Sequence, residues 1–208
     1  MTNFFSQFQN DVQDSGVTCL INNAGVAPKA TRYNLVKVEQ MESTFRTNVI
    51  APLFLTKVMI PLLKKNSQSL IVNMSSILGS IENNQKVSSG GAGGGQYPYR
   101  STKAALNMVT RSLRYFMKFF FHELKKNNEY KNFFFVKFNR CYFSIDLEHA
   151  KIGAIAIHPG WVQTDMGGKY ASLTPEESIK GVLNVITNYN SEQHNGQFLD
   201  FNGESVSW

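Results

Sequence analysis

Tyr99 and Lys103, in the stretch YPYRSTK (97–103), are residues whose types and spacing could do chemistry. Four apart, they share a face if the segment is helical. A phenol is a proton donor, but its ordinary pKa near ~10 makes proton exchange slow at neutral pH. A neighbouring ammonium favours the phenolate and lowers that value. The pair therefore reads as a tuned general acid for a reaction in which an oxygen gains a proton. Tyr97 does not compete for the role, because Ser101 rather than a lysine lies four residues on. Alone, a Tyr-x-x-x-Lys spacing is a commonplace of helix surfaces, so its meaning depends on what surrounds it.

The elements that must position the pair can be read from the pattern of apolar residues. VTCLINNAG (17–25), SLIVNMSS (69–76) and IGAIAIHPG (152–160) are short apolar runs without polar alternation, which predicts buried strands. GQFLDFNGESVSW predicts a closing strand and tail. Residues 38–66 have helical spacing, with a break or kink expected at Pro52 and Pro61. Residues 99–113 predict a strong helix. Thr174, Pro175 and Glu177 form an N-cap, a first-position proline and a capping box for a last helix. Strands alternating with helices predict an α/β domain with a parallel sheet covered on both faces. The Gly/Ser-rich stretch 77–98 predicts a loop. Its GGAGGG lacks the following Lys-Ser/Thr of a phosphate cradle.

Composition bounds the rest. The 208 residues are 42% hydrophobic and 17% charged, as expected of one domain with its own core. No run of 18 apolar residues occurs, so no membrane span is expected. The opening MTNFFSQFQNDVQDSG has no signal-peptide pattern. Cys19 and Cys141 offer neither metal-ligand spacing nor a disulfide framework, so a reducing, cytoplasmic setting is expected. His122, His149 and His194 form no ligand pattern, no metal is expected, and His158 reads as structural. The net charge of +6 would suit nucleic acid, but seven Lys/Arg and two Asp/Glu of 114–143 account for nearly all of it. Nucleic acid is therefore not an expected partner.

Four signals occur in order: Asn22-Asn23-Ala24-Gly25 after a strand, Ser76 ending the next, Tyr99-x-x-x-Lys103 opening a helix, and Pro159-Gly160 after a third strand. Together they resemble the short-chain dehydrogenase/reductase family. YRSTKAALN, HPGWVQTDMGG and the ending GQFLDFNGESVSW are similar to its C-factor and sniffer-like carbonyl reductase subgroup. The resemblance covers residues 1–113 and 144–208. It implies a Rossmann-like doubly wound sheet and NAD(P)-dependent reduction of small carbonyl compounds or oxidation of alcohols. It also implies that Tyr99 is the proton donor, that Lys103 lowers its pKa and holds the nicotinamide ribose, and that Ser76 orients the substrate oxygen, with Ser75 as runner-up. Asn48 matches an asparagine supporting a water relay to the lysine. Asn22, Ala24 and Gly25 would pack under the cofactor, and Pro159, Gly160 and Thr164 would contact its nicotinamide end. The subgroup implies NADP(H), with NAD(H) the alternative, and a family tendency to homodimers.

Two departures accompany the resemblance. No T-G-x-x-x-G-x-G turn precedes NNAG, so the chain is expected to be a single partial Rossmann-like domain (1–208). It would lack two βα units and a third strand, on the order of 65 residues at about 30 per unit. The strand ending at NNAG would then be an apolar edge. Residues 114–143 hold nine Phe, five Lys, four Asn and three Tyr and read as an insertion of translated, A/T-rich intron. These departures leave a second expectation, a catalytically inactive family member acting by binding or regulation.

Overall fold

The computed structural model describes residues 12, 15–29, 31–84, 95–126 and 151–208. Most of the opening stretch MTNFFSQFQNDVQDSG, residues 85–94 of the glycine-rich loop, and residues 127–143 of the atypical segment lie outside them.

Among the described residues four strands form one parallel sheet in sequence order: β1 (Cys19–Asn22), β2 (Gln68–Met74), β3 (Lys151–His158) and β4 (Phe198–Asp200). The register sets Asn22 beside Asn73, Asn73 beside Ala156, and His158 beside Asp200. Along β2 successive side chains point to opposite faces. Ile71 joins Leu20, Met59, Leu62, Leu63, Ile152 and Ala154 on one face. Leu70 and Val72 join Ile155, Ile157, Val182, Val185 and Leu199 on the other. Two covered faces explain why these strands lack polar alternation. Among the described residues β1 is paired only with β2, and Ile21 on it is 44% exposed, as expected of an apolar edge.

The long helix between β1 and β2 runs on without a break, and of the break or kink expected at Pro52 it shows a local irregularity. α1 (Val38–Phe45) passes into a π-helical turn (Arg46–Ile50) and then into α2 (Ala51–Leu63). Pro52 supplies the reason. It has no N–H for the Asn48 carbonyl four residues earlier, and its ring crowds that carbonyl. The chain widens by one residue, and Ala51 N–H donates to the Arg46 carbonyl five back, the signature of a π turn. Pro61 sits inside α2 without ending it. By length and composition Val38–Leu63 could cross a bilayer; in this fold Met59, Leu62 and Leu63 pack it on the sheet.

α3 (Tyr97–Lys126) runs 13 residues beyond the predicted end at 113, into the segment read as an insertion. RYFMKFFFHELKK contains neither glycine nor proline to stop it. α4 (Pro175–Thr187) starts as predicted: Thr174 Oγ1 accepts from Glu177 N–H at 3.2 Å, and Glu177 Oε2 accepts from Thr174 N–H at 2.8 Å. A short α5 (Ser191–His194) leads to β4.

Candidate active site

The carboxyl ends of parallel strands are where an open α/β sheet places ligands, and the expected residues gather there. β2 ends at Met74, and Ser75 N–H then donates to the Ile157 carbonyl of β3 at 2.7 Å. Ser76 follows in extended conformation as the cap of a short 3-10 turn (Ile77–Gly79), its Oγ accepting from Leu78 N–H at 3.2 Å. Ser76 also acts on the Tyr99 phenol, its side chain favouring the phenolate as a hydrogen-bonding neighbour. α3 thus brings its first turn over the end of β2.

Lys103 lies one turn beyond Tyr99, and its Nζ stands 5.5 Å from the Tyr99 ring centroid. Nζ donates to the Met74 carbonyl at 2.7 Å, and the residue is only 4% exposed. Burial pulls the ammonium down to about 8, because charge is costly away from water. Tyr99 departs from expectation. Burial raises its phenol above the ordinary value, and only the Ser76 hydrogen bond opposes that rise. Lys103 faces the Met74 carbonyl, so in this state desolvation outweighs any lowering by the ammonium.

Asn48 is fully buried on the π turn. Its Oδ1 accepts from Val26 N–H at 2.8 Å, and its Nδ2 donates to the Val26 carbonyl at 2.9 Å and to Thr102 Oγ1 at 3.0 Å. Thr102 Oγ1 donates in turn to the Tyr99 carbonyl at 2.8 Å. Asn48 therefore joins the loop after β1 to the helix carrying Tyr99 and Lys103. Gly25 lies where they meet: a β-carbon built on it would stand 3.5 Å from Lys103 Nζ and 3.6 Å from Asn48 Oδ1.

Asn22 turns into the protein. Its Nδ2 donates to Thr56 Oγ1 at 3.2 Å and Asn73 Oδ1 at 2.8 Å, and the residue is 5% exposed. Its side chain steadies the β1–β2 pair, whereas Ala24 lies exposed in the loop. Pro159 and Gly160 follow β3, with the Pro159 carbonyl accepting from Ser178 Oγ at 2.7 Å. Thr164 is exposed and accepts from Gly167 N–H at 3.1 Å, bracing its own loop. The structure thus brings Tyr99, Lys103, Ser76, Asn48 and Gly25 together. Tyr97 is 42% exposed and edge-on to Tyr33. His158 is pushed toward its neutral form by burial, with Asp200 opposing. Among the described residues no three His, Cys, Asp or Glu side chains gather to hold a metal.

Sequence reasoning missed Thr102, Asn107 and Thr110. Thr110 Oγ1 accepts from Asn73 Nδ2 at 2.8 Å, and Asn107 Oδ1 accepts from Ser75 Oγ. For Asn107 and Thr110 the spacing from Lys103, four and seven residues on, was the available signal; Thr102 turns instead to Asn48 on the π turn.

A family model described as short chain dehydrogenase matches residues 1–118. The chain is 34% identical to C-signal of Myxococcus xanthus, covering 97% of this chain and 98% of that protein. Among solved structures it is similar to the carbonyl reductase Sniffer of D. melanogaster. That match has a TM-score of 0.75 and 31% identity, over 99% of this chain and 72% of that one. It is equally similar to the NADPH-bound carbonyl reductase from chicken fatty liver, with a TM-score of 0.75 and 31% identity over 98% and 71%.

Proposed function

The chain belongs to the short-chain dehydrogenase/reductase family, and on that premise we propose that it reduces small carbonyl compounds to alcohols with NADP(H). The observation that carries this reading is the meeting of Tyr99, Ser76 and Lys103 at the carboxyl end of β2, where Lys103 Nζ stands 5.5 Å from the Tyr99 ring centroid and donates to the Met74 carbonyl just before Ser75 and Ser76. Tyr99 donates its proton to the substrate oxygen as that oxygen gains charge, and Ser76 donates a hydrogen bond that orients it. The raised phenol keeps Tyr99 protonated at neutral pH, as an acid must be.

The donor set also fits the nicotinamide-ribose half of the cofactor. An ammonium has three donors; Lys103 gives one to the Met74 carbonyl and keeps the others beside Gly25, where no side chain intervenes. Lys103 would hold the ribose there, and the Pro159–Gly160 turn would border the ring. A reduced nicotinamide so bound supplies the hydride taken by the carbonyl carbon. A homodimer of the family's kind would use the exposed apolar face of α2 and α3, on which Leu53, Phe54, Val58 and Met108 lie.

The test is NADPH oxidation followed by absorbance with a short aromatic aldehyde as model carbonyl, alongside NADPH binding followed by fluorescence. Tyr99→Phe should lower kcat by at least about 100-fold while NADPH binding persists. Wild-type protein that binds no NADPH and turns over no carbonyl refutes the reading and favours an inactive, binding member of the family.

A further inference from the structure

Ser76 has little of its own to hold it. Among the described residues the hydrogen bond its hydroxyl makes is from Leu78 N–H, inside the same turn, and its influence on Tyr99 is to favour the phenolate. Its position is therefore set by whatever fixes the turn. The amino end is tied to β3 through Ser75 N–H and the Ile157 carbonyl. The carboxyl end presses directly on α3: a β-carbon on Gly79 would stand 2.7 Å from the Lys103 carbonyl carbon and 2.9 Å from Ala104 N.

One side chain reaches both ends. Asn107 lies four residues beyond Lys103 and eight beyond Tyr99, on the same face of α3. Its Oδ1 accepts from Ser75 Oγ at 2.5 Å, and its Nδ2 donates to the Gly79 carbonyl at 3.5 Å. Ser75 and Asn107 are each 3% exposed, so water does not substitute readily for either bond. The Gly79 contact is at the outer limit of hydrogen bonding, so the short Ser75 arm holds more strongly.

We propose that Asn107 is a positioning residue, which through Ser75 and Gly79 places the Ser76 hydroxyl against Tyr99. The proposal rests on the reading of Tyr99 and Ser76 as a proton-transfer and orienting pair. The helix that bears the acid thereby also fixes the hydrogen-bonding partner of that acid, so the two move as one unit. Misplacing a reacting group by about 1 Å can cost roughly 100-fold in rate.

The experiment compares wild type with Asn107→Leu, Ser75→Ala and the double variant by kcat, KM for NADPH, and NMR titration of Tyr99 in protein labelled with 13Cζ-tyrosine. Asn107→Leu should lower kcat by about 10- to 100-fold with KM for NADPH changed less than about twofold. Its Tyr99 resonance should titrate at higher pH, because the Ser76 bond that favours the phenolate is weakened. Ser75→Ala should reproduce most of both effects, Ser75→Thr should restore them, and the double variant should be no worse than Asn107→Leu. If Asn107→Leu does not fold, Ser75→Ala carries the same readouts. Loss of kcat with an unmoved Tyr99 titration, or matched by a rise in KM, overturns the proposal. So do unchanged kcat and titration in an active wild type, which leave the carbonyl-reductase reading standing. If the wild type shows no turnover, the titration decides alone: a shift sustains the positioning role while the activity falls, and no shift overturns both.

Discussion

Replacing Asn48 tests whether the π turn and the loop after β1 are held by one amide. Asn48→Ala removes three hydrogen bonds at a fully buried position. Val26 is 42% exposed, so water can reach its backbone groups, and those two losses cost about 0.5–1 kcal/mol each. Thr102 is fully buried, and its oxygen loses the Asn48 donor without replacement while its hydrogen stays on the Tyr99 carbonyl, at about 1–2 kcal/mol. The expected total is about 3 kcal/mol. With a urea m-value of about 2–3 kcal/mol/M for a chain of this size, the unfolding midpoint should fall by about 1–1.5 M. Asn48→Asp should be worse at neutral pH. The new carboxyl keeps the bond from Val26 N–H but sets anionic oxygen against the Val26 carbonyl and against Thr102 Oγ1, whose hydrogen is already given to Tyr99. Burial raises a carboxyl pKa above its unfolded value, so the native state holds the extra proton. That variant should therefore regain stability as pH falls toward 5, relative to Asn48→Ala. A midpoint within about 0.3 M of wild type for Asn48→Ala, or Asn48→Asp the more stable of the two at pH 7, would refute the reasoning.

Two further outcomes follow from other positions. Lys103 has a folded pKa of about 8, below the ordinary lysine value, so above about pH 8 the unfolded chain holds more protons and stability rises with pH toward about pH 10. The rise should reach about 2–3 kcal/mol and be absent in Lys103→Met, read by urea melts at fixed ionic strength; an equal rise in both proteins counts against a charged, buried Lys103. Gly160 has φ +84°, and a β-carbon there would lie 2.3 Å from Leu173 Cδ1, whereas Gly168 has φ +79° with nothing within 4 Å. Leu173 Cδ1 ends a flexible side chain and can give way, while the Phe201 ring at 3.2 Å is stiffer, so Gly160→Ala should cost about 2 kcal/mol and lower Tm by about 4–8 °C, against about 1 kcal/mol for Gly168→Ala; equal losses would mean that close packing of the loop after β3 does not matter.

Much of the fold was legible because its signals are local. The apolar runs of β1, β2 and β3, the Thr174 capping box and the Tyr99–Lys103 spacing each depend on residues close in sequence. What could not be read depends on neighbours far along the chain. Pro52 signalled a break or kink, but whether the helix stops or widens is decided by packing on the sheet and by Asn48 finding Val26 and Thr102. The Tyr99 shift was expected from its nearest charge, yet its direction is set by burial under elements that a Tyr-x-x-x-Lys motif does not reveal. Asn22 opens a turn motif in the sequence but ends β1 in the fold, and the Asn73 beside it in the register turns its amide inward.

The missed residues share a property that changes what the motif means. With Lys103, they tie α3 through buried polar atoms to three elements: Thr102 to the π turn, Lys103 and Thr110 to Met74 and Asn73 at the end of β2, and Asn107 to the Ser75–Gly79 turn. Buried polar bonds are costly when broken, and a helix rotates about 100° per residue. A one-residue slip of α3 would therefore break all four at once, while its apolar contacts could be partly remade by similar side chains. The polar face thus specifies the register of α3 more sharply than the core does. That register is also what puts the Tyr99 hydroxyl at Ser76. Tyr-x-x-x-Lys names the reacting pair, and the polar residues after it determine where that pair stands.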